Sequence, residues 1–149
     1  MDTTRLPPDF KEFLRSLKVH KVRYLLIGGY AVGYHGFPRA TMDIDVWVEP
    51  TDRNAERVTS ALRAFGFGSD KLTKDLFLEP GIIARMGLPP MRIEILTSIS
   101  GVEFGEAYEE RISGVLDGIP VDVISLHHLK ANKAAAGRAR DLADLEELP

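Results

Sequence analysis

Cysteine is absent from this chain of 149 residues. Disulfides, cysteine-ligated zinc sites and thiol nucleophiles are therefore excluded, which fits a reducing compartment. Long apolar runs are also missing, and no stretch approaches the roughly 20 residues that a transmembrane helix needs. The opening residues, "MDTTRLPPDFKEFLRSLK", carry charges of both signs and lack the apolar segment of a signal peptide. We therefore expect a cytoplasmic protein with no membrane partner.

An excess of positive charge is lacking too, because the formal net charge is -3. Any contact with nucleic acid would thus need a local basic patch. Hydrophobic residues make up 44% of the chain and charged residues 28%, which does not indicate disorder. A chain of this length buries roughly 70% of its unfolded surface, enough for a core of its own. We expect one domain over residues 1–149.

Hydrophobic spacing and the positions of glycine and proline predict the order of elements. A helix after Pro7-Pro8 precedes the buried strand "VRYLLIGG", a short helix, the strand "MDIDVWVEP" and a helix capped by Thr51. Two strands, a short helix, a hairpin near Asp117-Gly118 and two C-terminal helices follow. The pattern predicts an α+β (mixed α/β) fold with a sheet of about four or five strands.

Two acids lie inside the second strand. Alternate residues share a face, so Asp43, Asp45 and Trp47 are expected to point one way and the intervening residues into the core. Like charges roughly 5–7 Å apart on a buried strand are unfavourable unless a cation or protons relieve them. Mg²⁺ binds one or two carboxylates together with substrate phosphates, so the pair is a candidate metal site.

Glu94 is a third acid within an apolar alternation, in "MRIEIL". Three carboxylates on adjacent strands could hold two metal ions, with the third also placed to deprotonate a hydroxyl. A solvated face or salt bridges from Arg39 and Arg92 are the alternative for the two aspartates, and a salt bridge with Arg92 or another basic residue is the alternative for Glu94. Trp47 could stack on a base, although a strand tryptophan more often packs in the core.

The glycine pair Gly28-Gly29 ends one strand and begins a helix, where backbone N–H groups can approach an anion. Phosphate binding is one interpretation and a simple tight turn is the other, because neither G-x-G-x-x-G nor a P-loop is present. The histidines show no H-x-E or H-E-x-x-H pattern, so we expect polar surface or loop roles for them.

Together, "IGGYAVGYHGFPRATMDIDVWV", Glu94 and "KAAAGRARDLADLEEL" resemble the nucleotidyltransferase superfamily with the DNA polymerase β-like fold. Within it they resemble the abortive-infection (AbiEii-type) nucleotidyltransferase toxins. The resemblance covers nearly the whole chain and implies a minimal nucleotidyltransferase fold with flanking helices and a C-terminal helical segment. The residues that match the first motif, Gly-Gly followed by R-x-T-x-D-x-D, are Gly28, Gly29, Arg39, Thr41, Asp43 and Asp45.

The resemblance also assigns roles beyond this motif. Glu94 would replace the family's third acid, commonly Asp, and its extra methylene could displace the carboxylate by more than about an ångström. In the tail, a lysine would contact nucleotide phosphates and an R-x-x-D-x-x-D segment would support the site. The matching residues are Lys133, Arg138, Asp141 and Asp144. From the residues alone, the alternative is a solvated amphipathic helix with Leu142, Leu145 and Leu148 buried.

The implied activity is transfer of a nucleoside monophosphate from a nucleoside triphosphate to an acceptor hydroxyl, with two Mg²⁺ ions as cofactors. The acceptor would be an RNA end, such as that of tRNA, or a protein, and a cognate antitoxin would be a partner. The first rival is an inactive nucleotide- or partner-binding module of the same fold. The second is a metal-dependent nuclease, which the lack of lysine at the D/E-x-K spacing after Glu94 disfavours.

Overall fold

The computed structural model describes residues 5–87 and 91–149. Their elements follow the predicted order, and the α+β fold class is confirmed. The helices are α1 (Pro8–Val19), α2 (Gly28–Tyr34), α3 (Asp52–Phe65), α4 (Phe104–Glu109), α5 (Leu126–Ala136) and α6 (Ala139–Glu147). The strands are β1 (Tyr24–Ile27), β2 (Asp43–Val48), β3 (Ile83–Met86), β4 (Arg92–Leu96), β5 (Ile112–Leu116) and β6 (Ile119–Val123). None of the helices in these two ranges has the length and apolar content needed to cross a bilayer.

One mixed sheet organises the fold, with the strand order β3-β4-β2-β1-β6-β5. The inner strand pairs β2–β4 and β1–β6 are parallel, whereas β1–β2, β3–β4 and β5–β6 are antiparallel. The described sheet thus has six strands rather than the expected four or five. The short edge strand β3 alternates between exposed and half-buried residues, so its apolar pattern is weak in sequence.

Strand β2 is central and alternates only at its start. Asp43 and Asp45 are half-buried and alternate with the buried Ile44 and Val46, as the period of two predicts. Trp47, expected on the acidic face and considered for base stacking, is only 2% exposed. Its ring packs edge-on against Phe104 of α4, with 5.1 Å between the ring centroids. Trp47 is therefore a core residue, and the stacking interpretation is wrong.

Helix α3 begins where the sequence predicts. The Thr51 hydroxyl accepts a hydrogen bond from the backbone N–H of Asn54, and the helix ends before Gly66. Asn54 itself is buried at 1% exposure. Its Oδ1 accepts from the N–H of Arg23 at 2.7 Å, and its Nδ2 donates to the carbonyls of Arg23 and Glu49 at 3.0 Å. The side chain thereby joins α3 to the start of β1 and the end of β2.

The C-terminal helices differ from an ordinary amphipathic pair. Ser125 caps α5 as predicted, and Gly137 adopts a left-handed conformation between α5 and α6. In α6, however, the buried residues are Asp141 and Asp144, while Leu142 is 48% exposed. The alternative of a solvated acidic face over buried leucines is therefore right for Leu148, which is buried, but wrong for Leu142 and for the acids. Cations from elsewhere in the fold must compensate the acids.

The three hydrogen bonds of Asn54 generate a prediction about stability. Asn54→Ala leaves one buried N–H and two carbonyls without this partner, so we expect the free energy of unfolding to fall by about 2–3 kcal/mol. Urea unfolding measures the change. Glu56→Ala, on the exposed side of the same helix, serves as the control and should change stability by less than about 0.5 kcal/mol. Equal effects in the two variants would contradict the bridging role of Asn54.

Candidate active site

Three carboxylates lie on one face of two neighbouring strands. Asp43 and Asp45 belong to β2, and Glu94 belongs to β4. The parallel register places Asp45 directly opposite Glu94, and Asp43 opposite Arg92. The sequence predicted that these acids would lie on adjacent strands, and the structure brings them together at the sheet.

The glycine pair lies against this acidic face because Ile27, the last residue of β1, pairs with Asp45. Gly28 has a φ of +69°, and a Cβ at this position would overlap the Oδ2 atom of Asp45. A Cβ on Gly29 would lie 2.9 Å from Oγ1 of Thr41. The two glycines thus form a turn without side chains, which lets helix α2 begin directly beside the acidic strand.

Electrostatics set Asp45 apart from an ordinary carboxyl. Burial raises the pKa of Asp45 to about 7, and the neighbouring Glu94 and Asp43 carboxyls add to the shift. Burial also raises the pKa of Glu94, but hydrogen bonds with Asp45 and Arg85 outweigh it and the net shift is downward. In the metal-free protein Asp45 is therefore protonated below about pH 7, whereas the neighbouring Glu94 remains ionised.

The acids partly fit a divalent metal ion. The Oδ1 atom of Asp45 is buried and, among the described residues, has no hydrogen-bond partner, as expected of an oxygen built to bind a cation. Within residues 5–87 and 91–149, however, no three acidic or histidine side chains converge as a ready metal cluster. Glu94 is diverted because its Oε1 accepts from Nε of Arg85 at 2.9 Å. Asp43 and Asp45 fit the ion, whereas Glu94 must first leave Arg85.

A buried charge network joins the tail to the site. Lys133 on α5 is only 4% exposed, and its Nζ lies 3.1 Å from Asp141 Oδ1 and 3.0 Å from Asp144 Oδ2. Arg138 pairs with Asp141, and Arg39 donates to both oxygens of Asp144 at 2.9 and 3.0 Å. Burial raises the pKa of each of these carboxyls, but the hydrogen bonds outweigh it and hold both pKa values below their usual range.

These groups line a cleft of about 760 Å³. Its wall contains the glycine pair, the three acids and Lys133, and it also carries arginines from several elements. The arginines are Arg39, Arg85, Arg92, Arg138 and Arg140. The cleft is thus suited to a ligand with several negative charges.

The predicted site residues are almost all in this cleft. Of the eleven, nine line it directly, while Asp141 and Asp144 lie behind it and hold Lys133, Arg138 and Arg39. The alternative that Arg39 forms salt bridges with the strand acids is wrong, because Arg39 pairs with Asp144. The partner of Glu94 is Arg85 rather than Arg92.

The basic residues only partly converge. Arg85, Lys133, Arg138 and Arg140 line the cleft, whereas Lys74 pairs with Asp52 and Glu56 of α3.

Two of the histidines have structural partners: His35 Nε2 lies 2.7 Å from the Ile124 carbonyl, and His128 lies beside Glu110. Sequence reasoning missed the pairing of Arg85 with Glu94, and the signal that could have revealed it was the register of the β3–β4 hairpin.

Comparison with known proteins supports the fold. No protein-family model matches the chain, and no curated protein matches it. Among solved structures, the chain is similar to a Thermotoga maritima protein proposed to be a nucleotidyltransferase, with 17% identity and a TM-score of 0.66. The match covers 97% of this chain and 95% of that one. The chain therefore has the fold of a protein proposed to be a nucleotidyltransferase.

The raised pKa of Asp45 predicts how the stability of the metal-free protein depends on pH. Its ordinary value is 3.8 and its folded value about 7, so between these values the folded state binds more protons than the unfolded state. Stability should therefore fall as pH rises through this window. Asp45→Asn removes the free-energy cost of ionising this carboxyl group in the folded protein. In EDTA, we expect its stability relative to the native protein to be greater at pH 8 than at pH 5 by about 2 kcal/mol.

Urea unfolding of both proteins at the two pH values measures this difference. Asp70→Asn, at an exposed position outside the helices and strands, is the control for loss of a carboxylate and should show no such pH dependence. A gain for Asp45→Asn that is the same at pH 5 and pH 8 would rule out the shifted pKa.

The contact between Gly28 and Asp45 gives a second prediction. Gly28→Ala should destabilise the protein by about 1–3 kcal/mol more than Gly118→Ala. Both residues have positive φ, at +69° and +79°, but a Cβ on Gly118 meets nothing within 4 Å. Thermal unfolding compares the two variants. Combining Gly28→Ala with Asp45→Ala should recover the extra loss, and failure to recover it would contradict the proposed collision.

Proposed function

We propose that this protein is a metal-dependent nucleotidyltransferase that moves a nucleoside monophosphate from a nucleoside triphosphate to an acceptor hydroxyl. The observation that carries the proposal is the placement of Asp43, Asp45 and Glu94 on adjacent strands beside the Gly28-Gly29 turn. The fold similarity to a protein itself proposed to be a nucleotidyltransferase supports it. On the basis of the sequence motifs we propose that the chain is related to the AbiEii-type toxins.

In the proposed reaction the acceptor oxygen attacks the α-phosphorus of the triphosphate. A new P–O bond forms, the bond to the β-phosphate oxygen breaks, and pyrophosphate leaves. The acceptor proton passes to a carboxylate of the site, for which Glu94 is the candidate because it lines the cleft and its lowered pKa keeps it ionised and able to accept a proton. Mg²⁺, when bound by Asp43 and Asp45, would supply charge stabilisation for the attacking and leaving oxygens.

The remaining cleft residues would hold the triphosphate. An ammonium group has three donors, and Lys133 uses two of them on Asp141 and Asp144, which leaves one for a phosphate. The backbone at Gly28-Gly29 offers a close approach to the phosphates. Thr41 donates to the Asp43 carbonyl at 3.1 Å, and Arg39 is fixed by Asp144, so both would position the acidic strand. Arg138 would contact the triphosphate at the opening of the cleft.

The acceptor we propose is an RNA end, such as that of tRNA, or a protein hydroxyl. We also propose, from the resemblance to abortive-infection proteins, that the chain is the toxin of a pair and binds a cognate antitoxin. Overproduction of the chain alone should then slow growth. Co-production of the antitoxin should restore it.

A second candidate function is a non-catalytic nucleotide-binding module. The observation that favours it is the pairing of Glu94 with Arg85, which leaves the described residues without a three-acid metal cluster. The two candidates differ in one product, because only the enzyme releases pyrophosphate.

The assay that tests the proposal uses Mg²⁺, each of four α-labelled nucleoside triphosphates, and total cellular RNA or protein as acceptor. We expect label transfer with at least one nucleotide, and its loss in EDTA. Asp43→Ala/Asp45→Ala should lower the rate by a factor of at least about 1000, because transition-state charge is then unsupported. Glu146→Ala/Glu147→Ala removes the same charge from exposed positions of α6 and should keep full activity. Nucleotide binding without transfer would instead favour the non-catalytic module.

A further inference from the structure

Arg85 covers the third carboxylate of the site from the edge of the sheet. It lies directly opposite Glu94 in the β3–β4 register, and the Nε–Oε1 distance is 2.9 Å. The side chain of Arg85 is 58% exposed, whereas that of Glu94 is 19% exposed. A largely exposed guanidinium thus pairs with a largely covered carboxylate, and both groups line the cleft.

This pairing competes with metal binding. A carboxylate oxygen that accepts a hydrogen bond from a guanidinium has less electron density for a divalent ion, and the two positive charges repel each other. Asp45 shows the contrast, since its buried Oδ1 has no partner in the described part of the chain. An exposed ion pair contributes about 0.2–1 kcal/mol, so Arg85 is a weak constraint that a stronger ligand can displace.

An anion is the ligand that can displace it. Arg92 lies on β4 two residues before Glu94, on the same face, and lines the same cleft. Within residues 5–87 and 91–149, Arg92 has no carboxylate within 4 Å, so it can receive a phosphate without breaking a salt bridge. A guanidinium binds a phosphate group through two parallel hydrogen bonds. A protein acceptor that offers only a hydroxyl has no phosphate group to form them. Arg85 on β3 and Arg92 on β4 lie on the opposite side of β2 from the Gly28-Gly29 turn proposed for the triphosphate. The two arginines therefore fit the phosphodiester chain of an acceptor.

We infer that Arg85 is a positioning residue that withholds Glu94 from the metal site until phosphates of a single-stranded RNA acceptor engage Arg85 and Arg92. This inference rests on the proposed function and adds a coupling between acceptor binding and completion of the metal site. Because coupling free energies are reciprocal, RNA must raise the affinity for the metal ion by the same factor as the metal ion raises the affinity for RNA.

The test measures binding rather than catalysis, with Mn²⁺ as an oxygen-binding probe whose free fraction is read by electron paramagnetic resonance. Without RNA, Arg85→Ala should bind Mn²⁺ about two- to fivefold more tightly than the native protein, the factor that an exposed ion pair gives. Arg85→Lys should restore most of the native affinity. Arg140→Ala reports the general effect of losing one positive charge near Asp45 and should have a smaller effect.

Two further measurements isolate the mechanism. In a Glu94→Gln background, Arg85→Ala should change Mn²⁺ affinity no more than Arg140→Ala does, because the carboxylate that it frees is gone. Adding a short single-stranded RNA should tighten Mn²⁺ binding by the native protein about two- to fivefold, and this gain should vanish in Arg85→Ala.

Equal gains in Arg85→Ala and Arg140→Ala, or RNA that leaves the Mn²⁺ affinity of the native protein unchanged, would overturn the inference while leaving the nucleotidyltransferase proposal intact. Absence of Mn²⁺ binding by the native protein, with or without nucleotide, would overturn both.

Discussion

The fold places two carboxyl groups opposite each other on adjacent central strands, and most of the site depends on how their repulsion is relieved. Asp45 and Glu94 are register partners, so neither can move away without breaking the β2–β4 ladder. In the metal-free protein the raised pKa of Asp45 and the guanidinium of Arg85 relieve the repulsion. A divalent ion can displace the proton and an anion can displace the guanidinium, whereas an apolar pair would pack better and could not bind an ion. The arrangement is therefore costly for stability and useful for binding.

Behind the cleft, the repulsion between carboxylates is relieved in a different way, by ion pairs with lysine and arginine side chains. Lys133 lies between Asp141 and Asp144, and each of these acids has an arginine on its other side. Breaking one partner of such a buried network leaves an uncompensated charge, which costs about 3–5 kcal/mol. The network therefore fixes α5 and α6 against the segment before β2. The exposed ion pair of Arg85 and Glu94 faces the cleft, and the buried ion pairs of Lys133 hold α5 and α6 in place behind it.

The sequence was most informative where local chemistry determines structure. The caps Thr51 and Ser125, the Asp117-Gly118 hairpin and the alternation of β2 at Asp43 and Asp45 all follow from residues close together in the chain. Grouping the eleven candidate residues around one cleft also succeeded, but it required the family resemblance. Whether those residues bind a metal ion or a nucleotide is still a prediction.

What the sequence could not give depends on contacts between distant residues. Trp47 is buried because α4 covers that end of the strand, and no local pattern records this position of α4. The buried face of α6 was predicted incorrectly because a leucine is normally a better core residue than an aspartate. Here two acids are buried since Lys133 and Arg39 reach them from other elements. The partner of Glu94 was missed because it depends on the register of an edge strand.

The nucleotidyltransferases that the sequence motifs resemble commonly have aspartate at the position of Glu94, and the glutamate of this cleft has a physical explanation. Cross-strand neighbours have Cβ atoms about 4.5–5.5 Å apart, and the extra methylene of glutamate extends the carboxylate along the sheet face toward Arg85. A shorter aspartate opposite Arg85 would hold its carboxylate nearer to the strand and farther from the guanidinium. Glu94 also lies opposite Asp45 and helps to raise the pKa of that carboxyl. The longer acid therefore interacts with a neighbour on each side, which fits the proposal of a site completed only when the acceptor is bound.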